Sequence, residues 1–133
     1  MKLKQKSEFN ADASDLLIKN NYYAPSVHCS YYSVFQLMKV AMKDFKGVDY
    51  ETIDANVASS NSSEHRYIRN EILNIIRDFD YNEYSRMSRN IKDLYQFRIE
   101  SDYKNIEVNS QKATKAKKFS RDIILYIKEN FHV

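Results

Sequence analysis

Arg98 is the residue of this chain whose position most narrows its chemistry. Met87, Ile91 and Leu94 recur at four- and then three-residue spacing, the inward face of one helix, and Arg98 comes next on that face. A guanidinium turned toward a core needs an anionic partner or a wet cleft, because burying it unpaired costs too much. Asp102 stands one turn further on and can be that partner; Tyr103 follows it, and Asn105 lies just past the expected helix end. His65 falls three residues before Ile68, on the inward face of the preceding helix. An imidazole that titrates near neutrality moves protons, and an arginine grips a phosphate bidentately or offsets charge in phosphoryl transfer. Metal-independent RNA cleavage, through attack of a 2′-hydroxyl on its own phosphate, needs little more. On this reading Arg98 and His65 are catalytic candidates, and Asp102, Tyr103 and Asn105 are substrate-binding candidates. The alternative is structural: Arg98 and Asp102 form a pair at i,i+4 spacing, and His65 neighbours a helix cap.

The elements that must position these groups are helices. The first should run from about Leu3 to Lys19, burying Phe9, Ala13, Leu16 and Leu17. After a connection at Tyr22-Tyr23-Ala24, Pro25 suits the first turn of a second helix, to about Phe45, where no amide donor is missed. Tyr32, Phe35, Met38 and Met42 form its main stripe, widened by Tyr31 and Val34, so it should be central; Gly47 is placed as its left-handed cap. Residues 48–63 break the pattern and read as the longest linker, with at most a short turn of helix near Val48–Ile53. It is either a surface crossover or a flap over a cleft. Asn61-Ser62-Ser63-Glu64 has capping-box spacing and opens a third helix, which buries Ile68, Ile72, Ile75 and Phe79. Tyr81-Asn82 turns the chain into a fourth helix, about Glu83 to Ser101, and a fifth spans about Gln111 to Asn130, with Ala113 and Ala116 allowing close approach. So short a turn between the third and fourth helices makes them antiparallel, which puts His65 and Arg98 at one end, within about 12 Å of each other.

Composition agrees with this class. One glycine and one proline in 133 residues cannot supply the turns of a sandwich, a barrel or a doubly wound sheet, so an all-α, up-and-down bundle of four to five helices in a single domain over 1–133 is expected. A net charge of +3 leaves phosphate binding to a local patch rather than the whole surface. The basic run Lys112, Lys115, Lys117, Lys118 and Arg121 reads first as a solvated face and second as a phosphate strip. The lone Cys29 cannot form an internal disulfide; it and His28 are adjacent and diverge on a helix, which argues against a shared metal site, and Cys29 reads as a small buried residue. Among eleven tyrosines, those of the second helix read as core aromatics with polar tips, while Tyr22, Tyr23, Tyr50 and Tyr103 are better placed for exposed roles. There is neither a signal-like start nor a long apolar run, so the expectation is a cytoplasmic protein without a membrane span, without a metal and without a cofactor.

Ser30-Tyr31-Tyr32-Ser33-Val34-Phe35, His65 opening the third helix, and Arg98-x-x-x-Asp102-Tyr103 before an alanine-containing last helix together resemble the HEPN superfamily, in its small standalone members. The resemblance spans about Ala13 to Phe131. It implies a helical bundle that dimerises, with the motif lining a cleft at the dimer interface. It also implies one of several roles: metal-independent endoribonuclease, toxin of a toxin–antitoxin or phage-defence system, or partner of a minimal nucleotidyltransferase. The ribonuclease branch carries an arginine, a polar neighbour and a histidine four to six residues later. Here Ile99 follows Arg98, no histidine occurs through Asn105, and Tyr103 stands at the shorter spacing. His65 is then the conjectured substitute, from the neighbouring helix. The reading is an RNA- or nucleotide-binding module around Arg98; the alternative is a non-catalytic module that docks a nucleotidyltransferase-type partner.

Overall fold

The computed structural model describes residues 2–133, and the regular elements among them are six α-helices. They are α1 (Lys2–Lys19), α2 (Tyr23–Lys46), α3 (Tyr50–Ser59), α4 (Glu64–Phe79), α5 (Tyr81–Tyr103) and α6 (Ser110–Phe131). α2 is the hub and packs against α1, α4, α5 and α6. Its apolar residues cover most of its circumference: Val27, Tyr31, Val34, Phe35, Leu37, Met38, Val40, Ala41 and Met42 are all buried. Gly47 ends it with φ 65°, and its N–H donates to the Lys43 carbonyl, the left-handed cap the sequence predicts.

α1 departs from expectation in the face it buries. Phe9 and Leu16 are 61% and 62% exposed, while Ser7 and Ser14 are buried. These serines lie on the opposite side of the helix and, being small, let α1 approach α2 closely. Ser7 Oγ donates to the Ser33 carbonyl at 2.5 Å, and Asn10 Nδ2 donates to Gln36 Oε1 at 2.9 Å. Buried Ser33 and Ser120 continue this polar seam into α6 through a hydroxyl pair at 3.0 Å. Hydrophobic periodicity selects the wrong face here because hydrogen-bonded small residues pack as well as leucine does.

The expected linker over 48–63 is mostly helix. Asp49 caps α3 by accepting the Thr52 N–H at 2.8 Å, and Ile53 alone of its side chains is buried. One buried anchor in three turns leaves almost no periodicity to detect. The expected capping box also shifts: Ser63, not Asn61, caps α4 by accepting the Arg66 N–H, and Glu64 instead pairs with Lys39 at 2.7 Å. α4 and α5 are separated by Asp80 alone, so Tyr81 and Asn82 are already helical. Asp80 fastens this corner to α6 by accepting the Tyr126 hydroxyl proton at 2.8 Å. The expected antiparallel pair forms, with the start of α4 beside the end of α5. Phe79 is half exposed rather than buried, in edge contact with Phe131.

Candidate functional site

At the end of the bundle where α2 and α4 begin and α5 stops, Arg98 follows Met87, Ile91 and Leu94 on the buried face of α5 and is 7% exposed. Its Nε donates to Asp102 Oδ2 at 2.9 Å, and its Nη2 donates to the hydroxyls of Tyr32 (2.8 Å) and Tyr103 (3.3 Å). The guanidinium carbon lies 5.1, 5.4 and 5.5 Å from the ring centroids of Tyr32, Tyr103 and Tyr31, within cation–π range. Nη1 has no hydrogen-bond partner among the described residues and is not one of the fully buried unpaired polar atoms, so it keeps some contact with solvent. Arg98 is therefore a cation held from three sides with one donor group left over.

Asp102 does two jobs with one oxygen. Oδ2, which accepts from Arg98, also lies 2.8 Å from His28 Nδ1. The Asp102 side chain is 18% exposed, although the residue's main chain is open at the helix end. The His28 side chain is 45% exposed, and its ring rests on Tyr32 at 4.6 Å between centroids. An ionised carboxylate can only accept, so the neutral imidazole carries its proton on Nδ1 and leaves a lone pair on Nε2. His28, Cys29, Ser101 and Asp102 line an open cavity of about 340 Å³ with Ala24 and Pro25. Ser101 Oγ is buried at this edge with no hydrogen-bond partner. Cys29 is half-buried rather than fully buried, and burial, reinforced by Asp102, pushes its thiol upward.

His65 sits at the same end, as the antiparallel pairing predicts: its ring and the Arg98 guanidinium flank Tyr32 at 5.7 and 5.1 Å. Its surroundings differ from those of His28. It stacks on Phe35 at 4.2 Å and on Tyr31 at 5.6 Å, and Nδ1 hydrogen-bonds the Tyr31 hydroxyl at 2.7 Å. Burial, and after it the Arg98 charge, lower its pKa. Burial raises that of Tyr31 far above the usual phenol range. The pair is thus held neutral. Tyr95, with Arg69 4.5 Å over its ring, closes the aromatic group.

The structure brings together Arg98, Asp102, Tyr103 and, one aromatic layer away, His65; it leaves Asn105 exposed in the α5–α6 connection, outside these hydrogen bonds. Sequence reasoning missed His28, because it was weighed only against its neighbour Cys29 as a metal ligand. The signal was its i,i+4 spacing to Tyr32, with the start of α2 level with the end of α5. The basic run of α6 is not one solvated strip: Lys117 is buried, its Nζ donating to the Ala11 carbonyl and Ser14 Oγ, and Lys112 pairs with Glu100. Of the four tyrosines singled out for exposure, Tyr22 and Tyr103 are exposed and Tyr23 and Tyr50 are half-buried. Among the described residues no group of three or more histidine, cysteine or acidic side chains is placed to hold a metal.

The family model of the HEPN domain matches residues 1–130. The chain belongs to the HEPN family. HEPN domains are associated with ribonuclease and nucleotide-binding roles and often dimerise. No curated protein and no solved structure gives a significant match to this HEPN chain. No described helix is long and apolar enough to cross a membrane.

Proposed function

We propose that this HEPN protein binds RNA or a nucleotide through the Arg98 cleft and acts as a metal-independent endoribonuclease, as a toxin in a toxin–antitoxin or defence setting. The observation that carries the proposal is the state of Arg98: almost fully buried, ion-paired on one edge, ringed by tyrosines, yet unpaired at Nη1. A purely structural arginine would have every donor satisfied, because an unpaired one is costly. Nη1 can donate to a non-bridging phosphate oxygen, and exposed Tyr103 (69%) offers a ring for a base to stack on. His65 backs the cleft by fixing Tyr31, and Asn105 lies on the loop beside it.

A second reading has its own observation. Tyr103 and Ile106, three residues apart, are both large and exposed, which suits a protein surface, whether a second copy of the chain or a nucleotidyltransferase-type antitoxin.

The test uses labelled mixed-sequence RNA in EDTA with wild type, Arg98→Lys and Arg98→Ala at equal folded concentration. Loss of the phosphate contact should weaken binding by about tenfold or more in Arg98→Ala, with only partial rescue by lysine, which lacks the planar fork. Equal binding by Arg98→Ala would overturn the proposal. Light scattering with Tyr103→Ser addresses the second reading: a shift to smaller species is expected there.

A further inference from the structure

We propose that His28, held by Asp102, is the general base of this HEPN protein, supplied by α2 in place of a histidine on the arginine's own helix. The inference rests on the reading of the Arg98 cleft as an RNA site and names its missing proton acceptor. Four observations meet on His28. Its Nδ1 is fixed by Asp102 Oδ2 at 2.8 Å, which leaves Nε2 free. Its ring is 45% exposed and lines an open cavity, so a substrate hydroxyl can reach it. The same Oδ2 atom holds Arg98 Nε at 2.9 Å, so imidazole and guanidinium stand within the span of one nucleotide. Tyr32 braces both, its ring under His28 and its hydroxyl on Arg98 Nη2. An acceptor oriented by a carboxylate, beside a cation held by the same carboxylate oxygen, is an arrangement suited to general-base catalysis of anionic displacement. His65 lacks the carboxylate: its Nδ1 meets the hydroxyl of a tyrosine that keeps its proton, and its ring is stacked on Phe35 and Tyr31.

The step balances without a metal or a redox partner. His28 Nε2 takes the proton of a ribose 2′-hydroxyl as that oxygen forms a bond to the adjacent phosphorus. Arg98 Nη1 donates to a non-bridging oxygen, where negative charge builds. The bond from phosphorus to the 5′-oxygen breaks, that oxygen takes a proton from water, and the imidazolium returns its own proton to water. The products are a 2′,3′-cyclic phosphate and a 5′-hydroxyl. Asp102 is a positioning residue: it touches His28 and Arg98 and sets the tautomer.

Two RNA probes separate the dyad from the binding reading: mixed-sequence RNA for cleavage in EDTA, and its fully 2′-O-methylated form, which cannot be cleaved, for binding. His28→Gln should bind the methylated RNA within about threefold of wild type yet cleave at least about 100-fold more slowly, the loss typical of a missing general base. Wild-type products should carry cyclic-phosphate ends. His132→Gln, at the end of α6 and outside the cluster, should cleave as wild type does. Nitrogen-15 spectra of the wild type should show His28 protonated at Nδ1, and Asp102→Asn should release that tautomer and slow cleavage. This readout does not depend on whether His28→Gln folds. An Nε2-protonated His28 in the wild type overturns the proposal. So does undiminished cleavage by folded His28→Gln, or a loss confined to His65→Gln. Binding without cleavage by the wild type overturns the dyad and leaves the RNA site standing; no binding at all removes both.

Discussion

At the scale of single residues, the two histidines beside Tyr32 sit in different surroundings: His28 is held by a carboxylate, His65 is stacked among aromatic rings. His65 is kept neutral by burial and by Arg98, with its pKa below the ordinary 6.5. The folded state therefore resists protonation where the unfolded chain accepts it. The stabilisation is whole above about pH 6.5 and is lost as pH falls toward the lowered folded value. Melting temperatures of wild type and His65→Phe, which keeps the stacking on Phe35, should converge as pH falls from 7.5 to 5. A gap that stays constant over that range would show that His65 does not titrate on unfolding. Arg98 was legible from sequence because a charge on a strictly apolar stripe is a contradiction that only a partner or a cleft resolves. His28 was not, because its meaning depends on Asp102, 74 residues away, and nothing local encodes that encounter.

At the scale of elements, legibility followed the number of buried apolar anchors. α2, α4, α5 and α6 each repeat such anchors over several turns, and their ends fall within a few residues of expectation. α3 has one, Ile53, too few to show in the pattern. Ile53→Ala should cost about 2–4 kcal/mol of whatever holds α3 in place. Hydrogen exchange would show this as faster exchange in α3 with α2 amides unchanged; equal acceleration in both would mean that α3 unfolds only with the rest. At the end of α2, a Cβ on Gly47 would meet no atom within 4 Å, so its φ of +65° is the only obstacle to replacement. Gly47→Ala should lower stability by about 1 kcal/mol and Gly47→Asn by less, as denaturant midpoints can measure.

At the scale of the whole molecule, two kinds of glue hold the bundle. A hydrophobic cluster joins α2, α4, α5 and α6 with Ile53 of α3, and α1 adds to it half-buried Ile18; the buried residues of α1 itself are serines, and it is tied to α6 by Lys117, whose Nζ donates to the Ala11 carbonyl and Ser14 Oγ and lies 3.5 Å from Asp15. Pattern reading sees the first kind and is blind to the second, which is why α1 was found but turned about its axis. Lys117→Ala removes the donor to Ser14 Oγ and one of the donors to the Ala11 carbonyl, which keeps the Ser14 hydroxyl at 2.8 Å, and should cost about 1–3 kcal/mol. Protease accessibility of α1 should rise before that of α2, and simultaneous cutting of both would argue against a separable α1.

Asp80 alone separates α4 from α5. With no slack there, a residue inserted or deleted within either helix between His65 and Arg98 turns one side chain about 100° relative to the other. The stretch from 65 to 98 can therefore change letters without turning these two side chains apart, but not its length. The count of residues between them is what keeps the two facing one end of the bundle.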